Sequence, residues 1–162
     1  MTEQQQYQKR GITILVTGAT GTLGEVVKQL VSSSSSSYSS SDRNVIIKAA
    51  IHSQNKADNF KEYNKTVQIV NMDYNKPETI TDVLNRVDKL FLLTLPTHNS
   101  IDIYSNLVRE IRKSGNINHI VKLSSMAVEI GLENAIGRLH REEEKIIEES
   151  GIPFTFLRPS AC

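Results

Sequence analysis

One stretch of eight residues constrains this chain more than any other: Thr17-Gly18-Ala19-Thr20-Gly21-Thr22-Leu23-Gly24. It follows an apolar run, Ile12–Val16, and leads into Glu25-Val26-Val27-Lys28-Gln29-Leu30, which reads as a helix over 23–32. A buried strand, a tight glycine turn and a helix start together make an anion cradle. The first N–H groups of a helix have no intrahelical partner and carry partial positive charge, so they draw in phosphate. Glycine lets the chain turn sharply and lets a ligand approach the backbone. A lone glycine pattern is a weak signal, but here the flanks are the strand and helix that a pyrophosphate-binding turn requires.

The rest of the chain repeats this alternation. Strand-like apolar runs stand at 12–16, 45–51, 67–72, 89–93, 119–124 and 154–157. Most are short and continuous, as expected of parallel strands buried on both faces. Helical patterns lie between them, at roughly 56–63, at 78–86 after Pro77, at 100–114 and at 137–150. Ile101, Tyr104, Leu107, Val108 and Ile111 share one face of the fourth helix, a stripe read as core packing, and Gly115 stops it. Strands and helices in alternation, with short links, predict an α/β fold with a doubly wound parallel sheet of about six strands.

At 162 residues the chain is long enough for one such domain and its core. Residues 1–10, MTEQQQYQKR, read as a flexible N-terminal arm, and the domain is expected over 11–162. A net charge of +1 gives no basis for nucleic acid as a partner. No apolar run approaches the ~18 residues of a membrane-spanning helix, so no membrane partner is expected. The one cysteine, Cys162, allows no internal disulfide, and a cytoplasmic setting is expected. No metal site is expected. Residues 32–41, SSSSSSYSSS, break the pattern. Such a tract buries too little apolar surface to offset its ordering entropy and reads as a disordered surface insertion.

Recognising that insertion restores the register of a dinucleotide site. A ribose-reading residue is expected about 20 positions past the last glycine. His52 lies 28 positions after Gly24, and 18 once the ten-residue tract is set aside. An acidic residue there would bind the adenosine 2′-hydroxyl and repel a 2′-phosphate. The sequence offers instead His52, Ser53, Gln54, Asn55 and Lys56. These donors and cations favour NADP(H) over NAD(H), although a solvated turn with a surface lysine would read the same. Asp73, at the end of the third strand, is placed either to accept from an adenine amino group or to cap a turn. Thr94, Leu95 and Pro96 end the fourth strand, and Ser124 and Ser125 the fifth, at the carboxyl edge where open α/β sheets bind ligands.

The stretches ILVTGATGTLGEVVKQL, VQIVNMDYNKPETITDVLNRVDKLFLLTLP, IVKLSSMAV and GRLHREEEKIIEESGIPFTFLRPS cover most of residues 12–160. In this order they resemble the NmrA-like group of atypical short-chain dehydrogenases/reductases, NAD(P)-binding Rossmann proteins. The resemblance implies NADP(H) binding, with either reduction of a small carbonyl or quinone or redox sensing without turnover. By this resemblance Gly18, Thr20, Gly21, Thr22, Leu23 and Gly24 form the phosphate loop, and His52 to Lys56 cover the 2′-phosphate region without the usual arginine. Asp73 and Tyr74 match the adenine-side pair, and Thr94 to Pro96 the loop near ribose and nicotinamide. Pro159 and Ser160 match the turn that reaches the nicotinamide amide.

Related reductases use Tyr-x-x-x-Lys on the helix before the last strand, with a serine after the fifth strand. Aligned on Glu144, the tyrosine position holds Ile136, the lysine position holds His140, and Ser125 takes the serine position. Isoleucine cannot transfer a proton. An imidazole can, so His140 is the candidate proton donor and nicotinamide or ribose contact, with Ser125 beside it; the bland reading is an exposed helix residue. Arg141 and Glu142-Glu143-Glu144 read as a solvated helix face, with Glu144 pairing locally. Family members normally continue past the sixth strand into a substrate-binding region, so the end at Cys162 is read as a truncation that leaves apolar area exposed beside 154–157. The expected partner is a small-molecule substrate if the protein is catalytic, and a regulatory protein if it is a non-catalytic sensor; an inactive fragment is the third reading.

Overall fold

The computed structural model describes residues 11–18, 45–52, 67–93, 100–130 and 134–159. The strands are β1 (Ile12–Val16), β2 (Val45–Ile51), β3 (Val67–Asn71), β4 (Lys89–Leu92), β5 (His119–Leu123) and β6 (Phe154–Leu157). The helices among the described residues are α1 (Pro77–Leu84), α2 (Ser100–Ser114), α3 (Ala127–Ile130) and α4 (Ala135–Glu148). The arm at 1–10, the helices expected at 23–32 and 56–63 and the serine tract lie outside the described residues.

All five strand pairings are parallel, and the spatial order is β3-β2-β1-β4-β5-β6. The chain runs outward from β1 to β3, then returns to β4 on the other side of β1. The switch point of the doubly wound sheet therefore falls between β1 and β4, directly under the glycine turn. Each strand's alternation divides the core between two faces. Leu15, Leu90, Leu92 and Ile120 join the inward stripes of α1, α2 and α4, among them Ile80, Leu84, Leu107, Ile111 and Ile147. On the other face Val16, Ile47, Ala49, Ile51 and Val67 form a second cluster.

Boundaries follow local chemistry. Pro77 opens α1, where its missing N–H costs nothing. The helix ends at Leu84, two residues before the sequence predicts, because Arg86 takes φ +60° and Lys48 Nζ binds the carbonyls of Val83 and Asn85 at 3.1 and 2.7 Å. Helix α4 starts two residues early because Asn134 Oδ1 accepts from the Gly137 N–H at 2.8 Å. The short α3 carries no periodicity to read; Ser125 Oγ accepts from Ala127 N at 3.2 Å as it begins. At the edge strand, Phe154 and Leu157 are 40% and 43% exposed.

Candidate functional site

Six chain segments converge on the carboxyl edge of the sheet. At its centre Thr17 follows β1. Its N–H donates to the Phe91 carbonyl at 3.0 Å, and its hydroxyl both donates to Leu93 O and accepts from Leu93 N, each at 2.9 Å. This buried threonine pins the ends of β1 and β4 together, a role that the sequence reading did not assign. Gly18 then takes φ +68°, and a Cβ there would lie 2.7 Å from Leu93 Cδ2. The turn therefore needs glycine twice over, for its backbone conformation and for its close approach to β4. That is the cradle a pyrophosphate-binding turn demands at this switch point, so the described part of the loop fits a dinucleotide.

At the β2–β3 end, His52 Nε2 lies 3.7 Å from Asp73 Oδ1, and His52 is exposed. Asp73 Oδ1 also accepts from Asn75 N at 2.9 Å, a local turn of the kind aspartate favours. This backbone hydrogen bond, with the nearby charges of His52 and Lys76, holds its carboxyl below the usual range. The turn-capping role is thus present in the structure. Tyr74 packs against the core, and burial pushes its phenol pKa up, opposed by a hydrogen bond with Thr17 and supported by the charge of Glu143.

On the β5–β6 side Arg141 and Glu142 of α4 are exposed as expected and Arg141 lies 3.5 Å from Glu144, but Glu143 and Glu144 do not face water, which corrects the sequence reading for those two. Glu143 and Glu144 are 1% and 0% exposed. The helix presents Gly137, Glu143, Glu144 and Ile147 to the sheet, and the strands supply the cations. Lys122 Nζ, itself fully buried, donates to Glu143 Oε2 at 2.6 Å. Arg158, just past β6, grips Glu144 with two bonds, Nε to Oε1 at 2.9 Å and Nη2 to Oε2 at 2.7 Å, and Glu129 of α3 through Nη1 at 2.6 Å. Ser124 Oγ donates to Glu144 Oε1 at 2.7 Å. Burial pushes the Glu144 pKa up, but the hydrogen bonds from Arg158 and Ser124 and the charges of Arg158 and Arg141 outweigh it and leave the pKa lowered. The signal for Lys122 was in the sequence: it stands two positions after Ile120 and so shares the inward side of β5 with it.

Helix α4 runs antiparallel to the strands, so its earlier residues lie nearer the carboxyl edge. His140 stands one turn toward that edge from Glu144. Its side chain is only 18% exposed, which excludes the bland reading of an exposed helix residue. Its Nδ1 is buried, forms no hydrogen bond among the described residues, and lies 3.4 Å from Glu143 Oε2. Lys122 Nζ also sits 5.3 Å above the centre of the buried Tyr104 ring. Ile136 is 53% exposed on the same helix. Gly137 lets α4 approach α3, since a Cβ there would meet the Ala127 carbonyl at 2.7 Å.

Of the candidate residues, Gly18, His52, Asp73, Ser124, Ser125, His140 and Pro159 all fall at or one helical turn from the carboxyl edge. Tyr74 reaches it through Thr17. The Ser124 hydroxyl is committed to Glu144, and Ser125 Oγ caps α3. Thr20, Gly21, Thr22, Leu23, Gly24, Ser53, Lys56, Thr94, Leu95, Pro96 and Ser160 lie outside the described residues. Among the described residues no cluster of His, Cys, Asp or Glu is placed to hold a metal ion, and no helix is long and apolar enough to cross a membrane.

Sheet order, glycine turn and edge residues together define a Rossmann-type α/β protein with its ligand edge at the β1–β4 switch point. The chain belongs to the NmrA-like family, whose model matches residues 11–161. It is 28% identical over 147 residues to the NAD(P)H azoreductase of Xenophilus azovorans, which covers 90% of this chain and 47% of the relative. The Citrobacter sp. triphenylmethane reductase complexed with NADP(H) superposes with a TM-score of 0.73 at 29% identity, covering 91% of this chain and 49% of that one. The NADPH-dependent quinone oxidoreductase of Escherichia coli complexed with NADPH gives 0.72 at 25% identity, covering 90% and 48%. The chain thus spans about half the length of these proteins.

Proposed function

We propose that this chain is the NADP(H)-binding part of a reductase acting on a small carbonyl or quinone. The observation that carries the reading is Gly18, held at φ +68° against Leu93 at the sheet's switch point. The relatives' names, with NADP(H) or NADPH in each bound structure, support the cofactor class. Bound at this edge, a reduced nicotinamide supplies a hydride. The chain's own residues bind and orient. Gly18 would let a phosphate approach the backbone at the end of β1, and His52 stands beside Asp73 on the adenosine side, where a donor would suit a 2′-phosphate better than a carboxylate. On the opposite side of the switch point His140, with Ser125 on the loop after β5, would meet the nicotinamide end.

The rival reading is a non-catalytic NADP(H) sensor, and Ile136 favours it, because no phenol stands where related reductases keep one. Calorimetric titration with NADPH, NADP⁺, NADH and NAD⁺ tests the binding claim. The expected order places NADPH ahead of NADH, and absence of binding to all four sinks both readings. NADPH oxidation against a quinone panel then separates enzyme from sensor, and a His140→Ala variant with full turnover would rule out a proton-donor role.

A further inference from the structure

The geometry points to Glu143 as the residue that sets the hydrogen-bonding state of His140, so that the neutral imidazole meets its ligand through Nε2 as an acceptor and takes a hydroxyl there. The inference deepens the proposed cofactor site and rests on that reading for the ligand, though not for the tautomer.

His140 and Glu143 are three residues apart on α4 and so share one face. Glu143 Oε2 serves two groups at once, accepting from Lys122 Nζ at 2.6 Å and lying 3.4 Å from His140 Nδ1. Lys122 is fully buried and is also held against the Leu123 carbonyl and the Tyr104 ring, so the carboxylate faces a charge partner that is itself fixed in place. Nδ1 is buried and makes no hydrogen bond among the described residues. A proton on Nδ1 faces a carboxylate oxygen; a lone pair on Nδ1 would face the same oxygen and be repelled. A small ring movement completes the bond, and such contacts often tighten only when a ligand is bound. The two nitrogens of an imidazole diverge, so Nε2 points away from Glu143, and with Nδ1 carrying the proton it is left with a lone pair. A neutral His140 held this way is an acceptor toward the site. It suits a ribose or substrate hydroxyl, and it gives up a proton through Nε2 only when doubly protonated. Glu143 is therefore a positioning residue, acting through His140.

Long-range proton–nitrogen NMR on the full chain with labelled histidine tests this, with His140 assigned by its loss in His140→Gln. At about pH 9, well above the ordinary imidazole pKa, Nδ1 is expected to be the protonated ring nitrogen and Nε2 the bare one. The reverse pattern overturns the inference, and this measurement needs no variant to fold. The double variant Lys122→Met/Glu143→Leu removes both charges together and leaves neither buried alone. It is expected to release the fixed tautomer, whereas Lys122→Met/Glu143→Gln keeps an acceptor and restores it. An unchanged tautomer in the leucine variant also overturns the proposal. Added NADPH is expected to move the His140 signals, and to bind the leucine variant about fivefold more weakly, the effect of one lost hydrogen bond. Signals indifferent to NADPH, with the tautomer as expected, refute the placement of His140 at the cofactor and the hydroxyl it is said to take, and leave the Glu143 contact standing.

Discussion

Gly18 and Glu144 show how single residues set the site. Replacing Gly18 by alanine forces an L side chain into a left-handed conformation and drives its Cβ against Leu93. Backbone strain of this kind costs about 1–3 kcal/mol, so Gly18→Ala should lower the thermal midpoint and weaken NADPH together. A midpoint equal to that of the parent chain would mean the turn relaxes. Glu144 makes stability depend on acid. Its folded pKa lies below the ordinary glutamate value of 4.5, so its contribution is complete above that value and is lost as the pH falls through the lower folded one. Glu144→Gln should therefore flatten the acid side of the stability profile, read by thermal melts from neutral pH down to the acid limb. His52 stands 3.7 Å from Asp73 on an exposed edge, and His52→Ala should reduce any preference for NADPH over NADH while leaving the melting temperature unchanged.

Elements are joined here by polar clamps as much as by apolar contact. Arg158 ties the end of β6 to α4 through Glu144 and to α3 through Glu129. Removing it leaves a buried carboxylate short of its strongest partner. Breaking a buried pair costs about 3–5 kcal/mol, and because Arg158 is itself partly exposed we expect Arg158→Ala to cost about 2–3 kcal/mol in denaturant unfolding. The apolar seam sets a comparable scale. Leu107 of α2 is 1% exposed among residues of all three long helices and the sheet, so Leu107→Ala should cost about 2–5 kcal/mol. The helix periodicities were legible because they arise within ten to fifteen residues. The buried glutamates of α4 were not, because a run of charge normally faces water and its cations lie elsewhere in the chain. Lys122 and Arg158 stand 21 and 14 positions from their partners. Only a parallel sheet that sets β5 and β6 side by side under α4 brings them together. The shift of predicted ends by one or two residues has local causes in Asn134 and Arg86 and a distant one in Lys48, 35 positions from Val83.

At the scale of the molecule, a ligand that binds only the folded chain stabilises it by mass action, about 2.7 kcal/mol at a hundred times its dissociation constant. NADPH at that excess should raise the melting temperature visibly, and a shift of zero would argue against the cofactor site. Amide exchange should be slowest in β2, β1, β4 and β5, the four strands flanked on both sides. Three strands, β1, β2 and β6, and the helix α2 have the bounds the sequence predicts, because each is a continuous periodic run. The strand–helix alternation depends on neighbours along the chain, so the sequence alone determined the fold class. What Thr17 binds, why Gly18 admits no side chain, and the burial of Lys122, Glu143 and Glu144 behind His140 depend on residues distant in sequence. The packing of the sheet decided those, since buried polar groups must find partners wherever the fold places them.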